Sequence, residues 1–513
     1  MRTSIARRLA GRKRRIHQRL ARANREKYQR CAEGAGPVLN PPGVTYELAD
    51  KTRGIAYGGV GMVIQLAREA GLVEAIDRRL HLLKIHVPYH ESDHVLNLAL
   101  HALCDATCLQ DLELRRNDEV FLDAVGAESI PDPTTAGDFC RRFDADSLDD
   151  LRRAVDDARV NVWRRQEDAF FEEAVIDLDG TIVITTGECK QGMDISYKGD
   201  WGYHPLLVTL ANTREVLNIV NRSGNRPSHE GAAQEADRAI ELCRRGGFRG
   251  VRLRGDTDFS QTEHLDRWDA DGVIFQFGYD ARPNLVETAE NLPESAWRKL
   301  ARPPAYTRKG PRRARPERVK RRVIRQREFL HLELNSEQVA EFTYRPTACS
   351  KDYRMIVVRK NITQEKGELR LFDEVRYFFY ISNDRQATPA EIVFGCNDRC
   401  DQENLIAQLA GGVRALTAPV DNLLSNGAYM LMTSLAWTLK AWAALLLPIA
   451  PRRRVEHQKQ RDTWLRMEFK TFINAVMQVP CQIVRQARRT IYRVLNWNPY
   501  LSSFFRLCNV LRC

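Results

Sequence analysis

The sequence predicts an α+β multidomain protein: a mixed-sheet core with an all-β insertion, flanked by N- and C-terminal helical regions. Two observations predict this class. Apolar residues recur at helical spacing before residue 166 and again after residue 420, whereas strand-like runs fill most of the chain between them. The 513 residues also exceed the size of one ordinary hydrophobic core and correspond to roughly three domains.

A basic tail at 1–40 opens the chain, and Glu26 is the only acid among residues 1–30. A helical region follows at 41–166. Within it, a Pro-rich break precedes a further helix that leaves Arg141 and Arg142 exposed. Because this pattern has a helix-turn-helix character, we expect the region to bind DNA through these arginines, although many helical bundles carry such turns without touching DNA.

The core is predicted over 167–280 and 384–425. The strands expected in the first range are 174–185, 204–212, 215–220, 251–254 and 273–277. No helix is expected between the first three strands, whereas a helix precedes each of the last two. This order of elements is that of an RNase H-like mixed sheet, on which the helix containing Glu403 must then dock.

An insertion separates the two parts of the core at 281–383. It begins with a basic block in which we expect Arg312 and Arg313 to contact phosphates. Strand-like runs follow at 328–334, 341–345, 353–359, 369–372 and 375–381, and they predict an all-β fold for the rest of the insertion. The final range, 426–513, is predicted to be a C-terminal helical region.

The charge balance indicates a nucleic-acid partner. The chain has 79 Lys and Arg against 67 Asp and Glu, a net charge of +12, and the basic residues are concentrated in the tail and in the block of the insertion. Such an excess attracts a phosphate backbone independently of base sequence. We therefore expect double-stranded DNA as the partner; the alternative is that both segments are solvated and self-repelling and have no partner.

Acidic residues lie where the core could hold metal ions. In the first predicted strand, Asp177 and Asp179 face the same side. We favour Asp179 as the ligand and Asp177 as a supporting residue, because Gly180 follows Asp179 and allows close approach. The alternative is a strand with a polar face towards solvent. Asp256, chosen over Asp258, lies just past a strand end, where open sheets bind ligands.

Glu403 supplies the third carboxylate and lies four residues after Arg399 on one helix face. We expect Arg399 to hold a phosphate, the alternative being an ordinary surface ion pair. Carboxylates from separate segments that meet at one point can hold two divalent ions for phosphodiester chemistry. Mg²⁺ suits such oxygen ligands, with Mn²⁺ as a substitute. His204 is either a DNA contact or a structural residue before Pro205.

The sequence shows no signal for export. The N-terminus has no apolar segment of the signal-peptide type, and the twelve Cys residues show no CxxC spacing, so we expect a reducing, cytoplasmic compartment with the protein at the nucleoid. Residues 428–450 have the length of a bilayer span, but they contain Lys440 and precede a polar run. We expect a buried helix there and no membrane partner.

Several short stretches follow one another in a specific order from Ser92 towards the C-terminus. They are SDHVLNLALHAL, PDPTTAGDFCRRF, DLDGT, GYHPLLVTLANT, the NRSGN to SHEGAA run, LRGDTDFS, the QENLI helix and SNGAYMLMTSLAWTLKAW. This ordered set resembles bacterial insertion-sequence DDE transposases, and more narrowly the insertion-sequence-1380 family within the insertion-sequence-4 group. The resemblance implies an RNase H-like core with a β insertion between its second Asp and its Glu.

The resemblance also implies cut-and-paste transposition by a homodimer bound to terminal inverted repeats and target DNA. It places the acidic triad on Asp179, Asp256 and Glu403. The wider group's Tyr-Arg-Glu-Lys signature is incomplete here, since the Tyr and Lys positions hold Cys396 and Ala410. Arg414, one turn further on, is the candidate substitute for the Lys. Three hypotheses stay open: an active transposase, a domesticated or inactive DNA-binding relative, and an RNase H-fold nuclease.

Overall fold

The computed structural model describes residues 11, 14–19, 46, 52–302, 333–365, 368–486 and 489–511. Most of the predicted basic tail lies outside these residues. Arg312 and Arg313, the phosphate contacts predicted in the second basic block, also lie outside them. The described chain is a mixed α/β structure in which many helices surround one large mixed sheet.

Helices form the N-terminal part of the described chain, as the apolar spacing predicts. They are α1 Gly59–Glu69, α2 Leu72–Arg79, α3 Glu91–Leu103, α4 Leu112–Arg116, α5 Glu119–Val125, α6 Pro133–Cys140 and α7 Ala145–Trp163. The start of α6 follows from its sequence: the Asp132 side chain accepts a hydrogen bond from the Thr135 amide at 2.8 Å, and Pro133 occupies the first turn.

The strands lie mainly in the middle of the chain. They are β1 Gly54–Ile55, β2 Glu173–Gly180, β3 Val183–Ile184, β4 Asp194–Ile195, β5 Trp201–Tyr203, β6 Leu206–Leu210, β7 Glu215–Val220, β8 Gly250–Gly255, β9 Ile274–Tyr279, β10 Arg298–Lys299, β11 Glu333–Tyr344, β12 Tyr353–Glu365, β13 Glu368–Ser382, β14 Cys481–Gln486 and β15 Arg489–Val494. Strands β7, β6, β2, β8 and β9 are neighbours in that order. Strand β6 is antiparallel to β7 and β2, whereas β8 is parallel to β2 and β9.

The remaining helices pack on this sheet or follow it. They are α8 Ala232–Gly246, α9 Leu265–Ala270, α10 Pro283–Glu290, α11 Pro389–Asp398, α12 Cys400–Ala407, α13 Leu423–Leu445, α14 Arg454–Arg466, α15 Phe469–Phe472 and α16 Leu501–Val510. Helix α13 contains the apolar run predicted to be buried, and nearly all of its residues are buried. Across the described chain, no helix combines the length and apolarity needed to cross a membrane.

The prediction of one strand over 174–185 is wrong. Strand β2 ends at Gly180, and β3 belongs to a separate small sheet with the order β3-β5-β4. The break has a packing cause, because the ring of His204 lies against Gly180. A Cβ added to Gly180 would lie 2.7 Å from His204 Nε2, so this position requires glycine.

The strand-like runs of the predicted insertion are fewer and longer than expected. Within the described residues they form the antiparallel strands β11, β12 and β13. Strand β13 pairs with β9, with Phe379 opposite Tyr279, so these strands extend the central sheet instead of forming a separate layer. The pairing satisfies backbone groups that β9 would otherwise expose at a sheet edge.

The prediction that the C-terminal part is wholly helical is also wrong. Strands β14 and β15 form an antiparallel ribbon between α15 and α16, and the short strand β1 pairs with the start of β14. The sequence there is rich in strand-forming residues, and alternate residues of β14, such as Cys481 and Ile483, are buried.

A buried carboxylate connects the helices to the sheet. Glu215 at the start of β7 is 0% exposed and accepts four hydrogen bonds. Its donors are Arg159 Nε at 3.1 Å, Trp163 Nε1 at 2.9 Å, Thr213 Oγ1 at 2.6 Å and Trp442 Nε1 at 2.7 Å. The donors come from α7, the β6–β7 turn and α13, so both helical regions and the sheet meet at one side chain.

Glu215→Gln should therefore destabilise the protein by about 3 kcal/mol, because it leaves the buried Arg159 guanidinium without one of its two carboxylate partners. The measurement is the free energy of unfolding from urea titration. Glu172→Gln, which neutralises an exposed glutamate just before β2, is the matched control. Equal effects of the two substitutions would contradict the role assigned to Glu215.

Candidate active site

Two alternating aspartates of β2 have different environments. Asp177 is 1% exposed and forms a two-point ion pair with Arg254 of β8, with Arg254 Nε at 2.6 Å and Nη2 at 2.8 Å from its carboxylate oxygens. The two residues are in register on neighbouring parallel strands. The Asp177 carboxylate is thus occupied by Arg254. The choice of Asp179 over Asp177 as the reactive residue stays a prediction.

Asp179 lies two residues further along the same face, close to the end of β2. Arg399 Nη1 donates to one of its carboxylate oxygens at 2.8 Å, and the Gly180 amide donates to the other at 2.8 Å. Burial raises the pKa of Asp179 to about 6; the Arg399 charge opposes this shift and the Asp256 charge adds to it. Asp179 and Asp256 therefore influence one another electrostatically, although they are far apart in sequence.

Asp256 lies directly after β8 and caps a short 3-10 helix, since its carboxylate accepts a hydrogen bond from the Asp258 amide at 3.0 Å. Burial raises the pKa of Asp256, and the Arg399 guanidinium opposes that shift. The charges of Asp258 and Glu403 raise the pKa further. The position just past a parallel strand agrees with the expectation from the sequence.

Glu403 and Arg399 lie on the helical segment that docks beside β2. Arg399 is the junction of α11 and α12, and its Nη2 lies 3.7 Å from Glu403 Oε1. The side chain of Arg399 is 15% exposed, whereas that of Glu403 is 60% exposed. Gln402 fixes the helix to the sheet by donating to the Asp177 carbonyl at 3.1 Å. One guanidinium thus faces carboxylates from three segments.

The three carboxylates have the donor chemistry that the predicted divalent-metal site requires. Three oxygen-donor side chains suit Mg²⁺, and the mutual repulsion of Asp179 and Asp256 is what a cation between them relieves. Among the described residues, however, no group of three or more His, Cys, Asp or Glu side chains is already arranged to hold a metal ion. The donor chemistry of the carboxylates fits a divalent cation. In this structure the positive charge beside Asp179 and Glu403 is the Arg399 guanidinium.

His204 is placed as a structural residue. It is 3% exposed, its Nδ1 is 2.9 Å from the Arg226 carbonyl, and burial lowers its pKa. Its ring packs against Gly180, so it supports the end of β2 beside Asp179. A contact of His204 with DNA stays a prediction.

The other predicted phosphate contacts lie elsewhere. Arg141 and Arg142 are exposed after α6, as predicted, but Arg141 pairs with Asp421 at 3.1 Å and with Asp138 at 2.8 Å. Arg414 does not continue the Glu403 helix. It has a left-handed backbone (φ 59°) and donates to the Thr107 carbonyl at 3.0 Å.

Two residues at the signature positions add nothing to the site. Cys396, at the Tyr position, is buried in an apolar cluster, and burial raises its pKa to about 12. Ala410 lies in the π-helical turn Gln408–Gly412. Sequence reasoning also missed Arg254, the partner of Asp177. The signal was available, because Arg252 and Arg254 alternate with buried apolar residues in VRLR.

The raised pKa of Asp179 predicts a pH dependence of stability. The folded chain binds this proton more tightly than the unfolded chain, in which the pKa is near 3.8. Between about pH 4 and pH 6 this carboxyl therefore lowers stability as pH rises. Asp179→Asn does not titrate, so its unfolding free energy should gain on that of the wild type across this window, by up to about 3 kcal/mol.

The measurement is urea unfolding at several pH values without divalent cations. Asp168→Asn, which replaces an aspartate whose side chain is 90% exposed, is the control. A pH-independent difference between Asp179→Asn and the wild type would contradict the environment described for the Asp179 carboxyl.

The Asp177–Arg254 pair predicts a different outcome. Asp177→Asn leaves a buried guanidinium without its carboxylate and should lower the unfolding free energy by about 3–5 kcal/mol. The double variant Asp177→Asn/Arg254→Gln leaves no unpaired charge and should recover part of that loss. Urea titration of the three proteins measures this. An additive double variant would show that the pair has no structural role.

Comparison with known protein families gives a match over most of the chain. Residues 55–513 match the family described as Transposase DDE domain group 1. No curated protein is significantly similar to the chain. Among solved structures, a piggyBac transposase synaptic complex with hairpin DNA, determined by cryo-EM, aligns with a TM-score of 0.36 and 10% identity over 83% of this chain and 81% of that chain. The extent of the family match shows that the chain belongs to the DDE transposases of this group, enzymes that cleave DNA and transfer its strands.

Proposed function

We propose that this transposase moves an insertion-sequence element by a cut-and-paste route, with Asp179, Asp256 and Glu403 as its catalytic carboxylates. One observation carries the proposal: the Arg399 guanidinium pairs with Asp179 at 2.8 Å and Glu403 at 3.7 Å, and its charge also acts on Asp256. Three acids from three distant segments thus interact electrostatically with one guanidinium. The ordered stretches that resemble the insertion-sequence-1380 family support the type of element.

We infer that the core is RNase H-like. The strand order β7-β6-β2-β8-β9, with three antiparallel strands followed by two parallel ones, supports this assignment. In this proposal the core comprises 167–280 and 384–425, and 281–383 is an insertion that contributes strands to the same sheet. The ranges 1–40, 41–166 and 426–513 are the basic tail, the helical DNA-binding region and the C-terminal region.

The carboxylates are the residues that would hold divalent cations, with Mg²⁺ as the proposed ion and Mn²⁺ as a substitute. Such cations supply activation of the attacking oxygen and stabilisation of the leaving oxygen. Asp179 and Asp256 keep their positions because the Gly180 and Asp258 amides hold one oxygen of each. Glu403 is mostly exposed and lies at the open side of the group, where it can adjust when DNA arrives.

Arg399 neutralises the carboxylates in the DNA-free protein. A guanidinium binds phosphate as readily as carboxylate, through paired N–H donors. We propose that a scissile phosphate takes over Arg399 from Asp179, which frees a carboxylate oxygen at the moment when the substrate is present. Arg399 then acts as a phosphate-positioning residue, as the sequence predicts.

The proposed partners are the terminal inverted repeats of the element and target duplex DNA, bound by a homodimer. A domesticated relative that binds DNA without cutting it is the second candidate. The observations that favour it are the apolar burial of Cys396 at the Tyr position and the displacement of Arg414 from the Glu403 helix. These positions affect binding of DNA ends and leave the three carboxylates in place.

Asp179→Asn, Asp256→Asn and Glu403→Gln should each lower strand cleavage and joining by a factor of about 10² or more, because each removes charge stabilisation of the transition state. Affinity for DNA should be retained. The assay uses the full-length chain, Mg²⁺ or Mn²⁺, and a donor plasmid carrying the gene with its flanking DNA. Asp168→Asn is the matched control.

The outcomes separate the hypotheses. Cleavage with joining supports a transposition enzyme built on these residues. Binding without cleavage by the wild type supports the inactive relative, and cleavage without joining supports a nuclease. Full activity of any one of the three carboxylate variants would remove that residue from the proposed site.

A further inference from the structure

The C-terminal part of the chain has an unusual charge distribution. After Glu468 the sequence contains no Asp or Glu, yet it contains basic residues that include Lys470, Arg485, Arg489 and Arg493. Three of these four lie on the ribbon formed by β14 and β15. This ribbon was not predicted from the sequence, and the carboxylate site does not include it.

The ribbon has an inner face that is fixed to the N-terminal helices. Ile483 is buried, and Tyr492, opposite it in the register, donates to the Ala124 carbonyl of α5 at 2.7 Å. Arg485 pairs with Asp123 of α5 at 2.9 Å. Gly61 of α1 lacks a side chain where Tyr492 packs, since an added Cβ would lie 2.6 Å from the Tyr492 ring. These contacts leave the other face directed to solvent.

The outer face follows from the strand alternation and the register. Residues opposite one another share a face, and the pairs on the outer side are Gln482 with Arg493, Val484 with Ile491 and Gln486 with Arg489. Arg493 Nη1 donates to Gln482 Oε1 at 3.1 Å, in agreement with this arrangement. Gln486, Arg489, Ile491 and Arg493 are exposed. Among the described residues, neither Arg489 nor Arg493 forms an ion pair with a carboxylate.

The composition of this face matches the chemistry of the DNA major groove. Arg pairs with the acceptor edge of guanine, Gln pairs with adenine, and small apolar side chains contact the thymine methyl group. Beyond Cys481 and Gln482, which also pair with β1, the ribbon is two-stranded. Its six-residue strands are about 20 Å long, and the width of a two-stranded ribbon suits a groove of about 12 Å. Neither β14 nor β15 contains an acidic residue that would repel the phosphates.

We propose that the outer face of the β14–β15 ribbon lies in the major groove of duplex DNA and reads base edges through Gln482, Gln486, Arg489 and Arg493. The inference rests on the proposed function for its substrate class, duplex DNA. Because its inner face is fixed on α1 and α5, the ribbon holds these side chains in a rigid arrangement. The ribbon and the predicted helical DNA-binding region then form one continuous surface.

The test compares charge-matched variants of the full-length chain. Arg489→Gln/Arg493→Gln should weaken binding to a mixed-sequence duplex by about tenfold or more at low salt, with a smaller salt dependence. Arg244→Gln/Arg245→Gln removes the same charge from the exposed surface of α8, which lies outside the ranges assigned to DNA binding, and should change affinity little. Gln482→Ala/Gln486→Ala keeps the charge and should lower sequence discrimination in selection from a random duplex pool.

A second probe addresses the groove directly. In a duplex with 7-deazaguanine in place of guanine, the major-groove N7 acceptor is missing while the minor groove is unchanged. The wild type should bind this duplex several-fold more weakly than the ordinary one, and Arg489→Gln/Arg493→Gln should show a smaller difference. In case a ribbon variant does not fold, protection of amides in β14 and β15 from hydrogen exchange on addition of DNA to the wild type provides an independent test.

Several results would overturn the inference. They are an unchanged affinity of the ribbon variant, an equal loss in the α8 control, or insensitivity of the wild type to 7-deazaguanine. A change of oligomeric state with unchanged duplex affinity would assign the ribbon to an interface between copies. Asp179→Asn separates the two proposals, because its loss of cleavage with normal binding tests only the carboxylate site.

Discussion

The fold depends on the burial of one charge. Glu215 is inaccessible to solvent, and a carboxylate in such a place is tolerated only when its oxygens are fully hydrogen-bonded. Its donors come from α7, from the turn before β7 and from α13. If α7 or α13 moved away from β7, the Glu215 carboxylate would lose hydrogen bonds that its burial requires. The sheet edge made by β7, β6 and β2 is therefore held between two helical regions that are remote in sequence.

The carboxylate site inherits its rigidity from that edge. On one face of β2, Asp177 pairs with Arg254 deep in the structure, and Asp179 pairs with Arg399 near the surface. The inner pair has side chains that are 1% and 8% exposed, whereas the outer pair has 14% and 15%. Breaking the inner pair would leave buried charges without partners, which is strongly unfavourable. The outer pair borders the exposed Glu403 and is the more accessible of the two, which is why the proposal assigns the phosphate to its guanidinium.

The local parts of this architecture could be predicted from the sequence. Strands β6 to β9 and the Arg399–Glu403 spacing were predicted, because apolar alternation and helical periodicity are local properties. The continuity of β13 with β9 was not, since strand pairing over a hundred residues leaves no local mark. The β14–β15 ribbon was missed although Ile483, Ile491 and Tyr492 are strand formers. The whole range 426–513 was predicted to be helical.

The distribution of charge reconciles two opposed requirements. A carboxylate group that must act on a phosphate repels it by about 1 kcal/mol per pair at 4 Å in water, and by more in a partly buried site. Arg399 offsets this locally, but one guanidinium cannot also provide affinity for a duplex. Affinity is better placed where no carboxylate opposes it, and the stretch after Glu468 has none. Because the ribbon is anchored on α5 through Tyr492, the proposed binding and catalytic surfaces rest on different elements. Binding can then persist when the carboxylates are neutralised, as a two-surface enzyme requires.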